Sequence, residues 1–110
     1  MNIYDTANRL AQEIKTSEEY LKFKEAKQKL DSNTELKQKI DDFEKTRYEV
    51  QVLAMQGKEV EEEKNKKLQE MYTVLVQNPE VKEYFDLEVK FNVMIADVNK
   101  IIAESVEDVL

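Results

Sequence analysis

The stretch NPEVKEYFDLEVKFNVMIADVNKIIAE, residues 78–104, decides the fold of this chain. It opens with Asn78, Pro79 and Glu80, the pattern of a helix start: an amide at the N-cap, proline at the first helical position and an acid in the first turn. No glycine or second proline interrupts the residues that follow. The sequence therefore predicts one long helix over residues 79–104.

This predicted helix is apolar over well more than half of its circumference. A polar stripe follows its length and consists of Glu83, Asp86, Lys90, Asp97 and Glu104. The remaining arc is mostly aliphatic and aromatic and comprises Val81, Tyr84, Phe85, Leu87, Phe91, Met94, Ile95, Val98, Ile101 and Ile102. A helix with so wide an apolar arc packs against more than one neighbour. We therefore expect it at the centre of the core or of an interface between copies.

Four further helices are predicted on its N-terminal side, from apolar residues spaced three and four apart. They cover residues 3–15, a segment that begins after Thr16, residues 34–55 and residues 59–77. The only glycine, Gly57, suits a helix C′ position or the turn of an antiparallel hairpin. The stripes of the four helices comprise, in chain order, Ile3, Ala7, Leu10, Ala11 and Ile14; Tyr20, Phe23, Lys27 and Leu30; Leu36, Ile40, Phe43, Val50 and Ala54; and Val60, Leu68, Met71, Tyr72 and Leu75.

Two capping boxes mark helix starts within this set. Thr16 with Glu19 predicts the start of the second helix, and Ser32 with Glu35 predicts the start of the third. The resulting fold class is all-α, with five helices. In it a long antiparallel hairpin packs with the long C-terminal helix, in an oligomeric helical bundle. We expect the whole chain, residues 1–110, to form a single domain.

The composition removes whole classes of active site. The chain has no histidine and no cysteine, so zinc and iron–sulfur sites built on these side chains are excluded, as is a nucleophilic thiolate. Di-iron helical bundles need Glu-x-x-His pairs, and no calcium-loop spacing is present. We therefore expect no catalytic, cofactor-binding or metal-binding residues, and a protein that is not an enzyme.

The net charge of −7 is unevenly distributed. Residues 1–58 carry 11 basic and 11 acidic side chains, whereas residues 59–110 carry 6 and 13. The acidic half repels phosphate, which disfavours nucleic acids and anionic membrane surfaces as partners. The first residues lack the basic and apolar regions of a signal peptide, and the longest apolar run covers only residues 93–96. Together with the absence of cysteine, these features predict a cytoplasmic protein.

Four polar side chains interrupt the predicted apolar faces. Arg47 lies at the centre of the stripe of the third helix, and Glu88, Asn92 and Asn99 lie within the apolar arc of the fifth. Burying a lone charge is costly, so these groups are expected to pair or to lie at a wet interface. They either set the register of a contact with a partner, or belong to an intramolecular ion pair or a helix edge open to water.

Charged segments point to two classes of partner. Glu61, Glu62 and Glu63 form an acidic contact surface that would steer a basic protein partner. The lysine-rich residues 22–29 favour an alternative, an RNA- or DNA-binding accessory protein. Two lysines of that segment follow a glutamate by four residues, an order that favours ion pairs along a helix. A solvated face is therefore the preferred interpretation of the segment.

Short motifs recur along the whole chain in a fixed order. They are Asn2-Ile3-Tyr4-Asp5, Ala7, Ser17-Glu18-Glu19-Tyr20, Lys24, Phe43, Met55-Gln56-Gly57-Lys58-Glu59-Val60, Asn78-Pro79-Glu80-Val81, Glu88 and Asn99-Lys100-Ile101-Ile102. In their order and spacing they resemble the YlbF/YmcA family of small bacterial helical proteins, and especially its YheA-like branch. The chain departs from the resemblance at Arg47, where such proteins usually carry glutamine.

The resemblance implies an all-helical, homodimeric protein of the bacterial cytoplasm. Some proteins of that family act without catalysis, in complexes that influence competence, biofilm formation, sporulation and messenger-RNA processing. Certain of those complexes hold iron–sulfur clusters on cysteines, which this chain lacks. The function we expect is therefore that of an adaptor or regulatory protein, which acts through contact with a second copy and with a protein partner that the sequence does not identify.

We predict that Arg47 and Glu88 are energetically coupled, within one chain or across a dimer, because each places a charge in an otherwise apolar face. Removing one partner of a buried pair costs about 3–5 kcal/mol, whereas an exposed pair is worth about 0–1 kcal/mol. Urea unfolding of Arg47→Met, Glu88→Gln and the double variant completes a double-mutant cycle. Strictly additive losses of stability would reject the coupling.

Overall fold

The computed structural model describes residues 2–59 and 61–110, and the regular structure within them is entirely helical. Five helices follow one another: α1 Ile3–Lys15, α2 Glu18–Asp31, α3 Thr34–Met55, α4 Glu62–Leu75 and α5 Pro79–Ser105. The predicted all-α class is confirmed, with α1 and α3 at their predicted bounds. The start of α5 is confirmed as well, because the Asn78 side chain accepts a hydrogen bond from the N–H of Glu80 at 2.9 Å.

The helix α4 is shorter than predicted at both ends. Glu61 occupies its N-cap, and the side chain of Glu61 makes no capping hydrogen bond. The acids of the first helical turn are Glu62 and Glu63, which favour the positive end of the helix dipole. At the other end, the helix stops at a C-cap formed by Val76. The predicted inward position of Val60 lies outside the described residues.

The N-cap of α2 lies one residue later than predicted. The Ser17 hydroxyl accepts a hydrogen bond from the backbone N–H of Tyr20 at 3.2 Å. Thr16 is instead the C-cap of α1, and its hydroxyl donates to the carbonyl of Gln12 at 3.0 Å. Because the connection between α1 and α2 is so short, adjacent hydroxyls serve the two helix ends. The Thr16 hydroxyl satisfies a carbonyl at the end of α1, and the Ser17 hydroxyl satisfies an N–H at the start of α2.

In the connection between α2 and α3, two adjacent polar side chains again serve the two helix ends. The Asn33 side chain accepts a hydrogen bond from the N–H of Leu36 at 3.1 Å. Ser32, which the sequence predicts as the cap, donates its hydroxyl to the carbonyl of Lys29 at 2.6 Å. Both capping-box assignments were therefore wrong by one residue, because the N-caps are Ser17 and Asn33.

Gly57 ends α3 in the left-handed region, with φ at +72°. Its N–H donates to the carbonyl of Ala54, and the N–H of Lys58 donates to the carbonyl of Leu53, both at 3.1 Å. These two bonds form a Schellman motif, whose C′ position favours a residue without a Cβ atom. The predicted role of Gly57 as a helix C′ residue is confirmed.

The chain divides into two compact units. The described residues of the first unit lie within Met1–Lys27 and Tyr84–Leu110, which contain α1 and most of α2 and α5. The second unit is Gln28–Glu83 and contains α3, α4, the end of α2 and the first turn of α5. The single domain over residues 1–110 stays a prediction.

In the second unit, α3 and α4 pack as the predicted hairpin. Phe43 lies in the first half of α3 and Tyr72 near the end of α4, and their ring centroids are 6.0 Å apart. Helices joined by a turn bring such positions together when they run antiparallel. The buried apolar side chains of this unit are Leu30, Ile40, Phe43, Leu75 and Val81.

In the first unit, aromatic side chains join α2 to α5. The Phe23 ring lies 5.3 Å from that of Tyr84 and 5.5 Å from that of Phe91, measured between centroids. Tyr20 adds a further contact with Phe91 at 6.1 Å. Aromatic pairs at these distances contribute beyond their buried area. The predicted packing of α5 in the core therefore applies to the side of the helix that carries Tyr84 and Phe91 and contacts α2.

Replacing Gly57 by alanine is expected to lower the free energy of unfolding by about 1 kcal/mol, since L-residues are strained in the left-handed region. No atom lies within 4 Å of the added Cβ, so backbone strain is the only cost. Gly57→Asn is the matched control, because asparagine tolerates this region. Urea unfolding followed by circular dichroism compares the three proteins. An alanine variant as stable as the parent would contradict the assignment.

The revised cap of α2 can be tested by two neighbouring substitutions. Ser17→Ala is expected to destabilise the protein by about 1 kcal/mol, because an N–H of the first turn loses its acceptor. Thr16→Ala should cost less than half as much, since the exposed Thr16 hydroxyl only supplements carbonyls at a helix end. Thermal or urea unfolding measures both. The reverse order of losses would restore the capping box on Thr16.

Candidate interaction surfaces

The candidate sites of the described residues are exposed surfaces of helices, because these residues form no buried polar or metal-binding cluster. Within residues 2–59 and 61–110, no group of three or more acidic, histidine or cysteine side chains is arranged to hold a metal ion. No polar or charged residue of this part of the chain is buried. In the same residues, no helix combines the length and hydrophobicity needed to cross a bilayer.

The apolar stripe of α1 is largely uncovered. The side chains of Ile3 and Tyr4 are three-quarters exposed, and α1 contains no buried residue. Only Leu10 and Ile14 are half-buried. An amphipathic helix whose apolar side chains remain in water is typical of a surface that another chain covers.

A larger apolar surface lies on α5, in the first unit. A groove of about 470 Å³ follows the helix, and we call it the α5 groove. Its lining consists of Val89, Val93, Met94, Val98 and Ile101, together with the charged residues Glu19, Lys90 and Asp97. An apolar surface that includes charges of both signs is suited to an amphipathic helix of a partner.

Sequence reasoning found only part of this groove. Val89 and Val93 were left out of the predicted apolar arc because they lie beside the polar stripe of α5. Ile101 was included in the arc, but the sequence could not show that it would be exposed. The signal that could have drawn attention to the region is the continuation of apolar residues across both edges of the stripe.

The second unit contains a smaller groove of about 320 Å³ between α3 and α4. Its lining consists of Lys39, Asp42, Glu70, Met71, Val74 and Leu75. Leu75 in this lining is buried, whereas Val74 is exposed. This groove has three apolar lining residues, against five in the α5 groove.

Arg47 is half-buried in the second unit, on the face that the sequence predicts. Its guanidinium carbon lies 5.5 Å from the centroid of the Phe43 ring, a cation–π distance. This contact between Arg47 and Phe43 was not predicted from the sequence. The two residues are four apart on one helix, a spacing that brings side chains together. Glu88 is half-buried in the first unit, and its coupling to Arg47 stays a prediction.

The other candidate residues that the sequence predicts are exposed to solvent. Asn92 and Asn99 are exposed on α5, in the first unit. Glu61, Glu62 and Glu63 are exposed where α4 begins, in the second unit. The two groups lie in different units, and the role of each as a contact remains a prediction.

The lysine-rich segment is partly neutralised by its own helix. The Lys22 ammonium lies 2.5 Å from the Glu18 carboxylate, the predicted pair at four residues' spacing. This hydrogen bond, together with the charge of Lys22, lowers the pKa of Glu18 below its ordinary value. Lys24 lies 6.0 Å from the centroid of the Tyr20 ring. Such contacts reduce the capacity of α2 to attract phosphate groups.

Comparison of the sequence with families shows a match to the family described as "Control of competence regulator ComK, YlbF/YmcA", over residues 3–107. A UPF0342 protein from Caldicellulosiruptor bescii is 40% identical, over 96% of this chain and 89% of that protein. UPF0342 protein STH1710 from Symbiobacterium thermophilum is 36% identical, over 96% of this chain and 94% of that protein.

A solved structure shares the arrangement of the helices. It is titled "Protein of Unknown Function (DUF964) from Bacillus stearothermophilus", and it aligns with a TM-score of 0.81 over 96% of this chain and 93% of that chain. The sequence identity is 19%, so that this similarity supports the fold alone.

Proposed function

The chain belongs to the YlbF/YmcA family, which matches residues 3–107, and from this we propose that it is a non-enzymatic adaptor or regulatory protein. The family description names control of a competence regulator, so a regulatory role is indicated. Our more specific proposal is a complex that affects competence, biofilm formation, sporulation or messenger-RNA processing, as the resemblance of the motifs implies. The protein would act by contact with another protein, without turnover.

The observation that carries this proposal is the exposed apolar lining of the α5 groove. Val93 is 54% exposed and Ile101 is 68% exposed, in a protein whose charged fraction is 37%. Covering apolar surface gains about 25 cal/mol per Å², so an amphipathic partner helix would gain most of its affinity there. Its anchors would follow the spacing of three and four residues that also separates Met94, Val98 and Ile101.

Electrostatics favours a basic partner. The three exposed acids Glu61, Glu62 and Glu63, within a net charge of −7, produce a negative potential that attracts cationic surfaces over a Debye length. Steering of this kind raises the association rate more than it raises the affinity. The same charge opposes nucleic acid, which remains the alternative partner in the test below.

We also propose that the protein is a homodimer in the cytoplasm. Exposed apolar side chains lie on two helices of the first unit, Ile3 and Tyr4 on α1 and Ile101 and Ile102 on α5, and such surface is typical of an interface between chains. The absence of cysteine fits a reducing compartment. The dimer is the form of the protein on which a partner would dock.

The partner contact can be tested by capture from the native host followed by mass spectrometry, with three baits. The parent and Val74→Asp should retain the partner, whereas Val93→Asp should lose it. Both valines are exposed, at 61% and 54%, so neither change should unfold the protein. Equal capture by Val93→Asp and the parent would remove the α5 groove from the proposal. Binding of RNA with submicromolar Kd at physiological salt would replace the adaptor function with the alternative one.

The steering role of the acidic segment predicts a kinetic effect. Changing Glu61, Glu62 and Glu63 to lysine should slow association with the captured partner by about tenfold at low salt. Stopped-flow mixing measures the rate. The control changes three other exposed acids to lysine, which alters the net charge equally: Asp31, Asp41 and Glu49. If both triple variants slow association to the same extent, the effect comes from net charge and not from this segment.

A further inference from the structure

A heptad pattern runs through α5. Its core positions alternate in spacing by four and three residues, the arrangement of a and d positions in a coiled coil. The a positions within α5 are Phe85, Asn92 and Asn99, and the d positions are Val81, Glu88, Ile95 and Ile102. Asparagine therefore occupies two successive a positions, with isoleucine at the d positions beside them.

In the part of the chain that the structure describes, only the first part of this seam is fully buried. Val81 and Phe85 are buried, whereas Asn92 and Asn99 are exposed and Ile102 is 54% exposed. The pattern thus continues for several turns after its intramolecular partners end. Helices with a heptad repeat keep such a seam against another helix along its length.

The part of the seam after Glu88 carries no charge, and it is exposed except for Ile95, which is half-buried. It also includes two small residues at the flanking e positions, and we call the whole set the open seam: Asn92, Ile95, Ala96, Asn99, Ile102 and Ala103. At 3.6 residues per turn and 1.5 Å per residue, it covers roughly 120° of the helix and about 17 Å of its length.

We propose that the open seam packs in parallel against the open seam of a second copy of this chain, with Asn92 facing Asn92 and Asn99 facing Asn99. This assignment rests on the homodimer proposed above and locates its axis along α5. The two asparagine layers set the register of the helices and restrict the assembly to two strands, at some expense of stability.

Charge is the first reason that a second copy is the occupant. Two chains of net charge −7 repel each other over most of their surfaces. The open seam is a face on which they can meet without opposing like charges, and a cationic partner would gain nothing from it. The alanines at positions 96 and 103 allow the two backbones to approach closely.

The second reason is the chemistry of the amide side chain. An asparagine amide carries both a donor and an acceptor, so two copies of Asn92 can hydrogen-bond to each other across a two-fold axis. Parallel strands place a positions opposite a positions, which pairs each asparagine with its own counterpart. In an antiparallel pair, Asn99 would face an isoleucine, and its amide would lose water without gaining a partner.

Disulfide trapping tests the register directly, because the chain has no cysteine of its own. Asn92→Cys and Asn99→Cys should each form a covalent dimer with itself under mild oxidation. Lys90→Cys and Asp97→Cys are the matched controls, exposed on the polar stripe of the same helix. A disulfide needs Cα atoms about 4.4–6.8 Å apart, so the controls should cross-link at least about fivefold more slowly.

An equilibrium measurement separates the open seam from the α5 groove. Ile102 and Ile101 are adjacent and exposed, at 54% and 68%, but only Ile102 belongs to the seam. Ile102→Asp should raise the dimer Kd by about tenfold or more, while Ile101→Asp should change it by less than about threefold. Sedimentation equilibrium gives both constants, and circular dichroism confirms that the two variants keep the parent's helix content.

The possible results separate this inference from the proposed function. A dimer that Ile101→Asp weakens more than Ile102→Asp, or one in which Asn92→Cys links only to a different variant, overturns the parallel seam and leaves the homodimer in place. A monomer mass at tens of micromolar overturns the homodimer and the seam together. Loss of partner capture by Val93→Asp with an unchanged dimer supports the separation of the two surfaces.

Discussion

The apolar surface of α5 is wider than the described part of one chain covers, and the other features of the protein depend on that constraint. Phe23 packs against Tyr84 and Phe91 and thereby buries one side of the helix. Val93 and Ile102, on two other sides of the helix, stay in water. Since exposed apolar area costs about 25 cal/mol per Å², this helix forms part of the core of the first unit and also carries the surfaces that we propose for contact with other chains.

The charges of the chain complement this arrangement. Acidic residues keep a protein with a large apolar surface from associating without selectivity, because copies with net charge −7 repel each other. Contact is then restricted to faces without opposed like charges, or to partners of opposite sign. The α5 groove, with Lys90 and Asp97 in its lining, and the uncharged open seam differ in this respect. One helix can therefore present two surfaces with different partners.

Much of the fold could be predicted because its signals are local. Gly57 takes the left-handed conformation that a helix C′ position requires, and Asn78 caps α5 as its place before proline indicates. The caps at Ser17 and Asn33 were missed by one residue, since two adjacent polar side chains competed for each role. Of the candidate site, Arg47 was recognised as an interruption of an apolar face, but its contact with Phe43 was not.

By itself, the sequence determined the class of fold, the helix bounds to within a few residues and the exclusion of histidine- and cysteine-based chemistry, because periodicity, capping and composition are properties of short segments. Only the tertiary structure decided which apolar residues are covered. Phe85 and Ile102 belong to the same arc of α5, yet one is 5% exposed and the other 54%. Burial depends on contacts with residues that are distant in the sequence, and a local sequence pattern does not show how far along a helix such contacts extend.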